Sequence, residues 1–171
     1  MAVEVFLSDE KIKERVKQLG AQITQDYAGE EVTLVGVLNG SFIFMADLVR
    51  EIKIPVRLEF MSASSYEGTQ STSNLKINLD LKADVKGKNV LIVEDIVDTG
   101  LTVSKLLEEF DTRETKSLKV ASLLYKPARL EHKVNIDYLA FEIEDNFVIG
   151  YGLDFDGRYR ELPYIGIYSN D

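Results

Sequence analysis

Two uninterrupted apolar runs, VTLVGVL at 32–38 and NVLIV at 89–93, together with the related LKVASLLY at 118–125, restrict this chain more than any other feature. A strand with one face in water alternates apolar and polar residues, whereas a run that is apolar throughout needs cover on both faces. Helical patterns provide that cover. The spacing of Ile12, Val16, Leu19 and Ile23 behind Ser8, a good capping residue, predicts an amphipathic helix. After VTLVGVL and an Asn-Gly-Ser loop, Phe42, Met45, Leu48, Val49 and Ile52 predict another; after NVLIV and an acidic turn, Val103, Leu106, Leu107 and Phe110 predict a third. IPVRLEF (54–60) and the alternating LKINLDL (75–81) are further strand candidates, and the polar SASSYEGTQSTSN (62–74) between them reads as a long loop. Strands that enter helices through short loops predict an α/β fold, a parallel sheet with helices on both faces. The 171 residues suit a single domain.

Composition removes several function classes. With no cysteine there is neither a disulfide framework nor thiolate chemistry, and with a single histidine the usual zinc spacings cannot be built. A net charge of -9, with Lys and Arg scattered, opposes nucleic acid as a partner. No apolar run approaches the roughly 18 residues of a membrane helix, so no membrane partner is expected. The N-terminal MAVEVFLSDEKIKERV turns charged before a signal-like segment builds up, which predicts a soluble, cytoplasmic protein.

In open α/β sheets the ligand sits beyond the C-terminal ends of the strands. Those ends carry LNGS, EDIVDTGLT and YKPAR, with no G-x-G-x-x-G after a strand and no G-x-x-x-x-G-K-[ST] anywhere, so dinucleotide and P-loop readings fall. In TGLT (99–102), Gly100 can aim successive N–H groups at one point, Thr99 and Thr102 add hydroxyl donors, and the helix behind contributes its positive end. This is a pocket for a phosphate monoester. Just upstream, Glu94 and Asp95 can accept hydrogen bonds from vicinal hydroxyls, as on a ribose.

VLIVEDIVDTGLT (90–102) resembles the phosphoribosyl-diphosphate (PRPP) signature of type I phosphoribosyltransferases: an apolar strand, two acidic residues, then D-T-G-x-T. The resemblance runs over nearly the whole chain and narrows to the hypoxanthine-guanine phosphoribosyltransferases of bacterial type. They share VGVLNGSFIFMADLVR (35–50), Ser65-Tyr66 and FVIGYGLDFDGRYRELPYIG (147–166). It implies the type I phosphoribosyltransferase fold, with a core over about 28–130 and a small hood lobe from about 1–10 and 131–171. It also implies a magnesium-dependent purine salvage enzyme. That enzyme would transfer the phosphoribosyl group of PRPP to N9 of hypoxanthine or guanine, giving IMP or GMP and pyrophosphate, as a homodimer or homotetramer.

The resemblance also implies roles for individual residues. Asp98 is expected beside purine N7 as general acid or base, and Glu94, Asp95, Thr99, Gly100, Leu101 and Thr102 around the ribose phosphate. Leu38, Asn39 and Gly40 would form the pyrophosphate loop, where related structures often hold a non-proline cis peptide, with Arg160 on the same group. Lys126 would donate to O6, Phe147 would stack on the base, and Val148 would read its edge through the backbone. Asp154 would lie near the base and, with Glu94 and Asp95, serve the metal. Ser65 and Tyr66 would belong to a mobile lid. Asn39 and Leu101 stand where other members carry Lys, so phosphate binding is expected to lean more on magnesium and backbone donors. Taken singly, Lys126 would read as a surface lysine before a proline turn, and His132 as an exposed loop residue. Two alternatives stay open: a PRPP- or nucleotide-binding regulator of the same fold, and an enzyme that prefers xanthine.

Overall fold

The computed structural model describes residues 2–66 and 74–169. Ser8 begins the first helix as its position predicts. The Lys11 N–H donates to Ser8 Oγ at 3.3 Å, a cap worth about 1 kcal/mol. Helix α1 (Asp9–Asp26) follows strand β1 (Ala2–Leu7) and buries Ile12, Val16, Leu19 and Ile23. Next come β2 (Val32–Leu38), α2 (Phe42–Glu51), β3 (Val56–Tyr66), β4 (Asn74–Leu79), β5 (Asn89–Val97), α3 (Leu101–Asp111) and β6 (Ser117–Tyr125). Strands β7 (Tyr138–Glu142), β8 (Val148–Ile149) and β9 (Ile165–Ser169) complete the chain.

Six strands form the main sheet in the order β4-β3-β2-β5-β6-β7, parallel except for β4 at one edge. The apolar runs explain its cover. Leu34, Leu91, Val93, Ala121 and Leu123 point to the face packed by α1 and α2, through Val16, Leu19, Phe44 and Leu48. Their neighbours Val35, Val37, Val90, Ile92 and Val120 point to the other face, against Val103, Leu106 and Phe110 of α3. Each strand position therefore buries a side chain on one side or the other, at about 1.5–3 kcal/mol apiece. None of the described helices is long and apolar enough to cross a membrane.

The structure departs from the sequence expectations in three places. Strand β5 runs to Val97 rather than stopping at Val93, so Glu94 and Asp95 lie on a strand and not in a turn. Glu94, Ile96 and Val97 keep pairing with Ser122, Leu124 and Tyr125 of β6. The expected loop at 62–74 is in part a hairpin: the backbones of Ser62–Tyr66 pair antiparallel with β4, and Ser65 and Tyr66 face Leu75 and Asn74 there. Residues 67–73 of the expected lid lie outside the described residues. The main sheet also extends past residue 130. Strand β7 adds to it beside β6, burying Tyr138 and Ala140 in the α1 side of the core. A separate three-stranded sheet, β1-β9-β8, joins the two chain ends, with Val3 opposite Tyr168 and Val148 opposite Ile167.

Candidate functional site

Strands β2 and β5 are neighbours, yet the helices that follow them, α2 and α3, cover opposite faces of the sheet. The loops leaving the two strand ends therefore diverge, and a crevice opens between them. A cavity of about 350 Å³ occupies it, lined by the 38–40 loop, by Glu94 to Thr102, and by Asp154 and Arg160. The structure thus brings together the expected ribose-phosphate residues, the expected pyrophosphate loop and two residues from the C-terminal third of the chain.

The 99–102 turn forms one end of the cavity. Gly100 sits at φ +82°, a left-handed conformation that a side chain would strain, and a Cβ there would meet the His132 carbonyl at 2.2 Å. That turn starts α3 at Leu101, so first-turn N–H groups without a partner inside the helix lie at the cavity wall that Leu101, Thr102 and Val103 line. The Leu101 N–H is shared with Thr99 Oγ1 at 3.3 Å. From behind, the N–H groups of Glu131 and His132 both donate to the Thr99 carbonyl at 2.9 Å, fixing the loop.

Across the cavity the Leu38–Asn39 peptide is cis. Gly40 is packed so closely that a Cβ on it would lie 1.6 Å from Asp95 Oδ2. Asp95 is held there by the Ile96 N–H, which donates to Oδ1 at 2.7 Å. Burial drives the Glu94 carboxyl well above the ordinary carboxylate range, and the Asp95 charge beside it adds to the rise. Asp95 is raised as well, again by burial, while Glu94, nearby backbone N–H groups and Arg160 oppose the change. In the free protein Glu94 consequently binds a proton that the unfolded chain, with its ordinary carboxyl, releases. Stability then falls as pH rises from the ordinary Glu range through the folded value. Replacing Glu94 by Gln should flatten this dependence, which urea unfolding between pH 5 and 8 measures.

Asp154 and Arg160 close the cavity's remaining side. Arg160 NH1 donates to the Gly152 carbonyl at 2.6 Å, and NH2 lies 3.1 Å from Asp154 Oδ1, whose other oxygen accepts the Gly157 N–H at 2.9 Å. Because Asp154 is held by these two groups, it does not converge with Glu94 and Asp95. Among the described residues no three acidic, His or Cys side chains form a metal cage, contrary to the expected grouping.

Lys126, Phe147 and Val148 do not line this cavity. Lys126 is buried at the end of β6, its N–H donating to the Val97 carbonyl at 3.0 Å and its Nζ 3.5 Å from Asp145 Oδ1. Phe147 is 52% exposed and makes T-shaped contacts with Phe155 at 5.8 Å and Tyr168 at 6.0 Å, so much of its ring stays open to a ligand. Val148 is buried in β8 opposite Ile167. Asp98 joins the two regions. It lines the cavity and accepts the Arg129 Nε–H at 2.6 Å, while Arg129 NH1 lies 3.5 Å from Asp145.

Sequence reasoning missed three residues of this arrangement: Arg129, Asp145 and Gly152. YKPAR stood out only as a strand end, and nothing local signals that Arg129 meets a partner 31 residues earlier. Gly152, at φ +99°, would bring a Cβ within 2.3 Å of the Gly40 carbonyl, so it backs the 38–40 loop. The Gly-Tyr-Gly spacing was its only trace.

Comparisons with known proteins agree with this geometry. The phosphoribosyl transferase domain family matches residues 3–156. The chain is 51% identical over 167 residues to the hypoxanthine phosphoribosyltransferase of Salmonella typhimurium, covering 96% of this chain and 94% of that protein. It is also 51% identical over 171 residues to the hypoxanthine-guanine phosphoribosyltransferase of Dictyostelium discoideum, covering 97% and 95%. A crystal structure of a hypoxanthine-guanine phosphoribosyltransferase from Bacillus anthracis superposes with a TM-score of 0.93 at 42% identity, covering 97% of this chain and 98% of that one.

Proposed function

The chain belongs to the phosphoribosyl transferase domain family, and from that premise we propose that it transfers the 5-phosphoribosyl group of PRPP to N9 of hypoxanthine or guanine, in purine salvage. The observation that carries this reading is the joining of two unlike regions through Asp98. A polar cavity with an N-terminal helix turn suits a phosphorylated sugar, and a buried lysine with an exposed aromatic ring suits a flat oxo-substituted base. In the reaction the bond from C1′ to pyrophosphate breaks and the bond from C1′ to N9 forms. Asp98 takes the proton from N7, and the products are IMP or GMP and pyrophosphate.

Thr99, Gly100, Leu101 and Thr102 would hold the 5′-phosphate, and Glu94 with Asp95 the ribose hydroxyls. Leu38, Asn39, Gly40 and Arg160 would hold the pyrophosphate. Lys126 would donate to O6, Phe147 would stack on the purine and the Val148 backbone would meet its edge. Ser65 and Tyr66 belong to the lid that would exclude water. The buried Glu94 and half-buried Asp95 carboxyls, side by side, fit a hard divalent cation that shares its remaining positions with water and substrate oxygens. Glu94 and Asp95 would hold magnesium. When bound, the ion supplies charge neutralisation for the leaving pyrophosphate.

Initial rates with PRPP, magnesium and each of four bases test this reading. Hypoxanthine and guanine should be turned over, and adenine rejected by at least about 100-fold, because its amino group would meet the Lys126 donor. Turnover of xanthine in preference to both would replace the assigned substrates, and turnover of none would remove the enzyme.

The protein is proposed to be cytoplasmic and at least a homodimer. An apolar hollow lined by Leu38, Phe42, Leu58, Phe60 and Leu79 supports self-association, since four of these side chains are 39–46% exposed on one surface. Phe60→Glu should lower the molar mass measured by light scattering to that of one chain; an unchanged mass would place the contact elsewhere.

A further inference from the structure

Resting on the phosphoribosyltransferase reading, a second role follows from contacts around Asp98 that substrate binding does not explain. The Arg129 Nε–H engages Asp98 Oδ1 at 2.6 Å, which leaves Oδ2 as the oxygen free to meet a base. On its far side Arg129 NH1 is 3.5 Å from Asp145 Oδ2, and Asp145 Oδ1 is 3.5 Å from Lys126 Nζ. The geometry is graded, with a close charge-assisted bond at Asp98 and contacts at the outer limit of hydrogen bonding at Asp145. Asp98 is thereby restrained, while Lys126 can turn from Asp145 to an incoming oxo group at little cost.

The backbone delivers both cations from one short element. Pro127–Arg129 form a single 3₁₀ turn, the Arg129 N–H donates to the Lys126 carbonyl at 3.1 Å, and the Lys126 N–H donates to the carbonyl of Val97, the residue before Asp98. The group that handles the N7 proton and the group that reads O6 are therefore linked by one turn and one side-chain bridge. We infer that Arg129 is a positioning residue for the transfer. It fixes the rotation of the Asp98 carboxylate so that Oδ2 meets N7, and it acts through Asp98 without touching substrate.

A double-mutant cycle tests this. Arg129 is an exposed side chain, and Arg129→Ala should lower kcat with hypoxanthine about 10–50-fold while the KM for PRPP stays within about twofold, because orientation and not ground-state binding is lost. Arg129→Lys, which keeps a charge but loses the planar fork, should recover part of that rate. In the Asp98→Asn background, where little is left to orient, single-turnover rates with excess enzyme and labelled hypoxanthine should change less than about twofold on adding Arg129→Ala. The same fold-loss in both backgrounds, or a rise in the KM for PRPP with kcat intact, would overturn the inference. Absence of turnover by the wild-type enzyme would overturn it together with the reading beneath it.

Discussion

Replacing Asp98 by asparagine is expected to lower kcat/KM for hypoxanthine about 10²–10⁴-fold, the range for loss of a positioned general acid or base. The amide keeps the shape but cannot take a proton. The affinity for PRPP should move far less, because the substitution leaves in place Gly100, Thr99 and the first turn of α3, the groups proposed to hold the phosphate. Comparison of calorimetric PRPP binding with initial rates separates the two. An equal loss in both would show that Asp98 serves the sugar phosphate and not the base.

Gly40→Ala should produce a loss of similar size by another route. The backbone of Gly40 is not in the left-handed region, so alanine costs little conformationally; the obstacle is Asp95 Oδ2, 1.6 Å from where the Cβ would sit. That carboxylate is the end of a short side chain. The clash is relieved when Asp95 swings away from the Ile96 N–H, or when the 38–40 loop retreats from the cavity. Either movement spoils the site while sparing the core, so PRPP affinity should fall at least about 100-fold with an unfolding midpoint within a few degrees of wild type. Gly100→Ala offers a contrast, since its Cβ would strike the backbone carbonyl of His132, which has no free end to rotate. A Gly40→Ala protein that binds PRPP normally would mean that the close approach of loop and acidic pair has no part in binding.

The parts of this molecule legible in the sequence are those fixed by local pattern. Strands β2, β5 and β6 declare themselves because burial on both faces leaves no room for polar residues, and the switch from the apolar run to D-T-G-x-T marks where a strand must give way to a helix N-terminus. The extension of β5 through Glu94 and Asp95 was obscured because two carboxylates look like a turn. The pairing of Glu94, Ile96 and Val97 with β6 makes that stretch a strand. The Ser62–Tyr66 hairpin arm was hidden for a similar reason: its small polar residues carry no amphipathic pattern, and its order comes from β4. The β1-β9-β8 sheet joins residues from opposite ends of the chain and has no local signature.

The site shows the same division. Residues on one loop, such as 99–102 or 38–40, were legible as units. Contacts between distant segments were not: Arg129 on Asp98, Gly152 behind Gly40, and Arg160 holding Asp154 away from the other two carboxylates. Each depends on a crossover that brings separated segments to the same ends of the sheet. The Asp154 case is instructive, because three acidic residues can line one cavity without forming one metal cage.

Phosphorus NMR of PRPP with magnesium and the enzyme, recorded before and after addition of hypoxanthine, follows the transfer itself. PRPP alone should bind and stay largely intact, and hypoxanthine should then convert it to pyrophosphate and IMP in equal amounts. PRPP that binds but remains unchanged after hypoxanthine is added would contradict the account and leave a ligand-binding regulator in its place.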